Sequence, residues 1–454
     1  MPRELHVRIV QDPSRGFSTL PDALTRGPDI TVSLDVLGDD RLRARLYGPA
    51  VPSLHGTEHR VDLAVRPADV RSSAARLCRM WKEVLVDHRL LTADGRPAPG
   101  EPETPYASLV DLRSRPPDEL ATLMEELALA GSELLYGTLL GGTDPRVDRF
   151  RSYLTEALAL RAGLRVRFDS DLHLPWPMVC LAPEDLPPEP EPPSEASPAG
   201  IPAAPLPMLF RRFLGHRHQI EQTGGAYPWL VGLRDAPEVP TVSLNHDTRV
   251  DRAGRTRATD VAALLAKGTR FVERSTWREL VTALDRPDLC EQLMYFWCHG
   301  RFVADGPQPP SLVLSLTDQK TIDAHTIRDR RRRFGVDHPF QPFVVLNACY
   351  AGLPEGSADA RFLSRAFVDA GARGVLGPQI EIPQVFAAAY AMEFLSRYLH
   401  GTQTAGSIAL TVARYFADEL HNPLGLAYAL HHGMDTRLER AAATSSDADR
   451  EVSV

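Results

Sequence analysis

The chain of 454 residues contains no run approaching the roughly 18 apolar residues that a membrane-spanning helix needs. Its first residues, MPRELHVRIVQD, lack the apolar stretch of a secretory leader. Cysteine is scarce. Five residues, at 78, 180, 290, 298 and 349, form an odd set without a CxxC pair, which excludes a disulfide framework and a zinc knuckle. Basic excess is missing too: the formal net charge is −8, whereas phosphate binding needs a basic surface, so nucleic acid is not an expected partner. The one basic run, Arg328 with Arg330 to Arg333, sits among polar residues and reads as a solvated helix end. No period of about 34 residues is visible in the first 120 residues, which excludes a tetratricopeptide array there. The expectation is a cytoplasmic protein in a reducing compartment, with no cofactor, no metal and no membrane contact. An apolar content of 43% with 24% charge is that of a globular chain, long enough for two domains or one large α/β domain with an appendage.

What is present falls into two parts. Residues 1–116 read as a smaller β-rich and helical module. "ITVSLDVL" and "RLRARLYG", like "LHVRIV" before them, alternate as strands do, and 67 to 91 carries Val70, Ala74, Leu77, Met80, Trp81 and Leu85 at helical spacing. A Pro- and Gly-rich stretch at 94 to 105 marks the boundary. This module holds no constellation with chemistry of its own and is expected to sense, dock or oligomerise. Residues 117–440 form the second part. Two helices, from Pro117 and over 144 to 161, precede two extended stretches, "LRVRFDSD" and "LPWPMVCLAP". Residues 184–207 are Pro-rich, acidic and aperiodic, and are expected to be a mobile loop. Beyond them apolar strands alternate with amphipathic helices, which predicts an α/β fold with a mostly parallel sheet covered on both faces. Residues 441–454 read as a flexible tail.

In such a sheet, ligands bind beyond the carboxyl ends of the strands. Two apolar strands end there in reactive side chains, "MYFWCHGRF" at His299 and "FVVLNACYAG" at Cys349. Each alone is more often structural; a pair at two strand ends, separated by enough chain for a crossover, carries more weight. A thiol attacks an amide as thiolate, and an imidazole favours that form and then protonates the leaving amine. The backbone N–H groups of Gly300 and Cys349 are candidate oxyanion donors. By strand alternation Cys298 points to the opposite face from His299 and reads as core.

These stretches resemble the CHAT-domain cysteine peptidases, a branch of the caspase-like clan. "YFWCHG" is similar to the family's strand ending in His-Gly, and "VVLNACYAG" to its strand ending in the nucleophile turn. "RFLSRAFVDAGARGVLGPQIEIP" and "SDLHLPWPMVCLAP" resemble, in order, its following helix-turn-strand and its early Leu-Pro-Trp segment. The resemblance, over roughly 120 to 440, implies a caspase-like fold, His299 as general base and acid, and Cys349 as nucleophile. It also implies a protein substrate and a regulated role, such as bacterial defence or cell death, with an activating partner or signal received by the N-terminal module. The chain departs from the family at Pro177 and in "LGPQIEIP", which bears on specificity. Asp305 and Glu381 are candidate anchors for a basic substrate side chain, while Ile380, Ile382 and Pro383 would line an apolar pocket instead. The competing functional reading is a catalytically weak regulatory scaffold that binds peptides in the same cleft.

Overall fold

The computed structural model describes residues 27–52, 59–87, 110–170, 172–187, 206–224, 236–251, 254, 256–303, 311–334, 340–351 and 363–441. The leading "LHVRIV", the stretch 94 to 105, most of the acidic Pro-rich segment, Asp305 and nearly all of the tail lie outside these residues. The strands are β1 (Ile30–Val36), β2 (Leu42–Tyr47), β3 (His59–Leu63), β4 (Arg165–Ser170), β5 (Gln219–Thr223), β6 (Thr241–His246) and β7 (Arg270–Arg274), followed by β8 (Leu293–Trp297), β9 (His299–Val303), β10 (Ser311–Ser315), β11 (Thr321–Ile322), β12 (Phe343–Asn347), β13 (Gly374–Pro378) and β14 (Tyr428–His431).

Eleven strands form one sheet in the order β3-β2-β1-β4-β5-β14-β13-β12-β8-β6-β7, and β9 to β11 form a small antiparallel sheet beside it. Neighbours are parallel except at β3–β2, β2–β1 and β14–β13, so the fold is α/β with a mostly parallel sheet. The antiparallel β13–β14 junction sets one half against the other. As a result, the edge where β12 and β8 end is the edge where β14 and β5 begin.

The strands around β12 have no exposed side: every residue of β8, β12 and β13 is buried. Alternation sends Tyr295, Trp297, Phe343 and Val345 into a large core under the helix Gln384–Leu399. Met294, Phe296, Cys298, Val344 and Leu346 point the other way, into a second core with the helices Trp277–Leu284, Ala324–Arg331 and Leu363–Asp369. Local signals place the helices. Thr276 and Glu279 close a capping box, Asp144 caps Pro145–Leu160, and Pro117 opens the helix that it begins.

Several expectations change. The N-terminal β-rich region is present and joins the main sheet: β1 pairs in parallel with β4, and one hydrophobic core runs from Ile30 to Leu438. A boundary near 116 has no counterpart in this sheet, because β1 to β3 bury their apolar face against elements that come later in the chain. The helix at 67 ends at Trp81 and continues as a π-helical turn, Lys82–Val86. "LPWPMVCLAP" is no strand; Trp176–Met178 is a 3-10 turn, since Pro175 and Pro177 cannot donate to a ladder. The basic run is not merely solvated. Arg328 pairs with Asp369 at 3.0 Å, Arg330 with Asp285 at 3.2 Å, and buried Arg331 donates to the carbonyls of Leu284 and Arg286. No helix of the described residues is long and apolar enough to cross a membrane, and no group of three or more His, Cys, Asp or Glu among them could hold a metal ion.

Candidate active site

Parallel pairing of β12 with β8 runs from Phe343 opposite Leu293 to Asn347 opposite Trp297. Cys349 lies two residues past Asn347, and His299 two residues past Trp297. Equal offsets past adjacent parallel strands bring the two chain segments to the same edge of the sheet. Cys298 and Ala348 join the second core, with Cys298 only 6% exposed. Burial pushes the Cys298 thiol far up, which makes it a poor nucleophile.

The chain past β8 does not simply loop away, because β9 begins at His299, which pairs with Ser315. The His299 side chain is exposed, and among the described residues no hydrogen bond joins it to Cys349. Gly300 lies directly against the nucleophile turn. A Cβ there would sit 2.2 Å from the Cys349 carbonyl oxygen and 3.2 Å from its amide nitrogen, so only glycine fits. That close backbone approach is a physical reason for the His-Gly pair.

The turn itself is tense. Tyr350 takes φ of 61°, a left-handed conformation that a bulky side chain rarely adopts. Three bonds hold it there: Tyr350 N–H donates to Ile380 O (3.2 Å), Ala351 N–H to Ala348 O (3.2 Å), and the Ser364 hydroxyl to Ala351 O (2.8 Å). Beneath it, the Asn347 amide donates to Tyr295 Oη (3.1 Å) and Ala387 O (2.8 Å), and its Oδ1 accepts from Tyr428 Oη (2.8 Å). Tyr428 in turn stacks on Tyr390 with ring centroids 3.6 Å apart. A buried amide satisfied on both ends locks the register of the strand end that carries Cys349.

Cys349 is half-buried, its Sγ 3.9 Å from Ile382 O. Burial raises the thiol pKa above its ordinary value, the nearby Glu381 carboxylate raises it further, and Lys82 opposes both. Lys82 comes from the π-helical turn near the start of the described chain and lies 3.6 Å from Glu381, whose carboxylate is 3.5 Å from Tyr350 Oη. Glu381 is therefore brought to the rim beside Cys349, already facing an internal cation. Ile380 is fully buried and Ile382 is 6% exposed. They support the turn from below, leaving Pro383 the more accessible of that set. Asp305 lies outside the described residues.

Sequence reasoning missed Lys82, Asn347, Tyr350 and Gln379. Gln379 follows β13, is fully buried, and its carboxamide has no hydrogen-bond partner among the described residues. Only Asn347 carried a signal: a polar residue inside an otherwise apolar strand, two places before the cysteine. Lys82 carried none, since it arrives from a distant part of the chain.

A family model for the CHAT domain matches residues 241–428. A curated protein named "Probable protease", from Vitiosangium sp. (strain GDMCC 1.1324), is 30% identical over 137 residues, which is 30% of this chain and 17% of that relative. The chain thus spans less than a fifth of that relative's length. Solved structures that resemble it include the Saccharomyces cerevisiae separase–securin complex (TM-score 0.45, 9% identity, 89% of this chain and 30% of that one). Another is described as the structure of a protease (TM-score 0.39, 10% identity, 70% of this chain and 76% of that one). The matched segment opens with β6, ends at the first residue of β14, and contains both His299 and Cys349; over these residues the chain is similar to the CHAT domain.

Proposed function

We propose that the protein is a cysteine endopeptidase that cuts protein substrates, with Cys349 as nucleophile and His299 as general base and then acid. The observation that carries this reading is the equal offset of the two residues past paired parallel strands, within the CHAT match. A thiol whose pKa is held up is mostly protonated at neutral pH. It therefore needs a base at the moment of attack, rather than existing as a preformed thiolate. In this mechanism the imidazole of His299 takes the thiol proton as Sγ bonds to the substrate carbonyl carbon. The resulting oxyanion is stabilised by the backbone N–H groups of Gly300 and Cys349. Collapse breaks the C–N bond, the imidazolium gives its proton to the leaving amine, and water then hydrolyses the thioester. No cofactor is needed for any step.

The raised thiol and the exposed imidazole also favour a second reading, a peptide-binding regulatory scaffold with weak catalysis. One experiment separates them. Purified protein is incubated with a proteome, and new N-termini are mapped for wild type, Cys349→Ala and His299→Ala. A peptidase yields termini that vanish in both variants. Termini unchanged by either substitution, or none with wild type, would remove the endopeptidase reading. The segment holding Lys82 is the proposed route by which an activating partner or signal reaches the site, since Lys82 alters the field at Cys349.

A further inference from the structure

A second concave site lies at the edge where β12 ends, on the other half of the sheet. It is a cleft of about 780 Å³ at the amino end of β5, built from the end of the helix Pro145–Leu160, the helices Leu206–Phe210 and Leu214–Arg217, and the end of the helix Ala405–Arg414. β5 lies three strands from β12, roughly 14 Å at ordinary strand spacing. Its volume falls in the range of small-molecule sites, which are mostly apolar with a few convergent polar groups.

Its walls combine two features that rarely meet by accident. Leu160 is 73% exposed and Met208 40% exposed, apolar surface left facing the opening. Arg212, Arg217 and Arg414 also line it, and among the described residues none of the three forms an ion pair with a carboxylate. Arg217, only 8% exposed, donates to the carbonyls of Leu158, Ala159 and Arg211. Arg414 donates to His216 O and Arg217 O, and Arg212 to Leu181 O and Ser132 Oγ. The carboxylate that lines the cleft, Asp418, is held by His216 at 2.8 Å. Burial pushes both Arg217 and Arg414 down; Arg414 and Arg211 lower Arg217 further, while for Arg414 the nearby Asp418 opposes the effect of burial and of Arg211. Arg217 is buried and Arg212 and Arg414 are half-buried, so gathering them carries a cost that a bound anion would offset.

We propose that this cleft binds an aliphatic monocarboxylate, its head at Arg217 and Arg414 and its chain along Leu160, Met208 and Leu209. Part of each guanidinium is already committed to carbonyls, and the N–H groups left suit the two oxygens of a carboxylate better than the three of a phosphate dianion. The apolar wall asks for a hydrocarbon body.

The test is calorimetric titration of the full chain with decanoate below its micellar concentration, with acetate and decyltrimethylammonium as controls. The expected result is one decanoate per chain, no uptake of the cation, and far weaker binding of acetate. Arg414→Gln should weaken decanoate at least tenfold. Because that arginine also braces two carbonyls, Leu160→Glu serves as the second variant; the residue is exposed, its replacement should leave the melting temperature unchanged, and it should weaken decanoate equally. Absent uptake, uptake of the cation as strong as that of decanoate, or uptake indifferent to Leu160→Glu would overturn the assignment. Binding of an acidic aliphatic peptide where decanoate fails would overturn it too, in favour of a protein partner. None of these readouts depends on peptidase activity.

Discussion

Replacing Gly300 with alanine tests the geometry of the candidate active site most directly. The added Cβ would lie 2.2 Å from Cys349 O, a backbone atom that no rotamer change can move. The strand end and the nucleophile turn must then part by about 1 Å, a misplacement that can cost about 10²-fold in a catalytic site. That factor corresponds to about 2.7 kcal/mol of transition-state stabilisation. Overpacking of this kind also costs about 1–3 kcal/mol of stability. Two assays read the two effects: urea unfolding for stability, and the rate of Cys349 alkylation with the kcat/KM for a peptide substrate for geometry. Gly27→Ala is the control, since a Cβ there meets nothing within 4 Å. Gly300→Ala should lose stability and slow both reactions, while Gly27→Ala changes neither. If Gly300→Ala unfolds at the wild-type urea concentration and its Cys349 alkylates at the wild-type rate, the close approach of Gly300 to the turn does not position the thiol.

Three further outcomes are expected. Glu381→Gln removes a charge that raises the Cys349 thiol and should shift the pH profile of its alkylation to lower pH, whereas Lys82→Met should shift it higher; identical profiles would exclude both from the field at the sulfur. Asn347→Ala strips partners from Tyr295, Tyr428 and Ala387, and should destabilise the protein by about 1–3 kcal/mol in chemical denaturation; a neutral result would show that water replaces the amide. His218 and His173 are buried, with burial pulling their pKa values down to about 3 and about 4. The unfolded chain binds these protons near the ordinary value of 6.5 and the folded chain does not. Stability should therefore fall as pH drops below about 6.5, by about 2 kcal/mol per histidine at pH 5. His218→Gln should flatten the decline, and a slope unchanged by it would refute the assignment to that residue.

Much of the architecture was legible because it is local. Unbroken apolar runs such as "QLMYFW" and "FVVLN" have no polar face to show solvent, so they predict strands buried on both sides. Thr276, Pro117 and Asp144 mark helix starts through bonds made within a turn. The same period-two logic put Cys298 on the core side. The sequence by itself thereby determined the fold class, the strand ends that matter and the two candidate residues. What it could not determine depends on contacts between distant segments. The N-terminal strands read as a module of their own because nothing local says which edge β1 will pair with; the tertiary structure joins it to β4 and makes one sheet of both parts. The reach of Lys82 to Glu381, the fit of Gly300 against Cys349 and the arginines gathered beside β5 are likewise decided only when the chain closes on itself. Charge and close packing act through space at a few ångströms, and sequence separation carries no information about them.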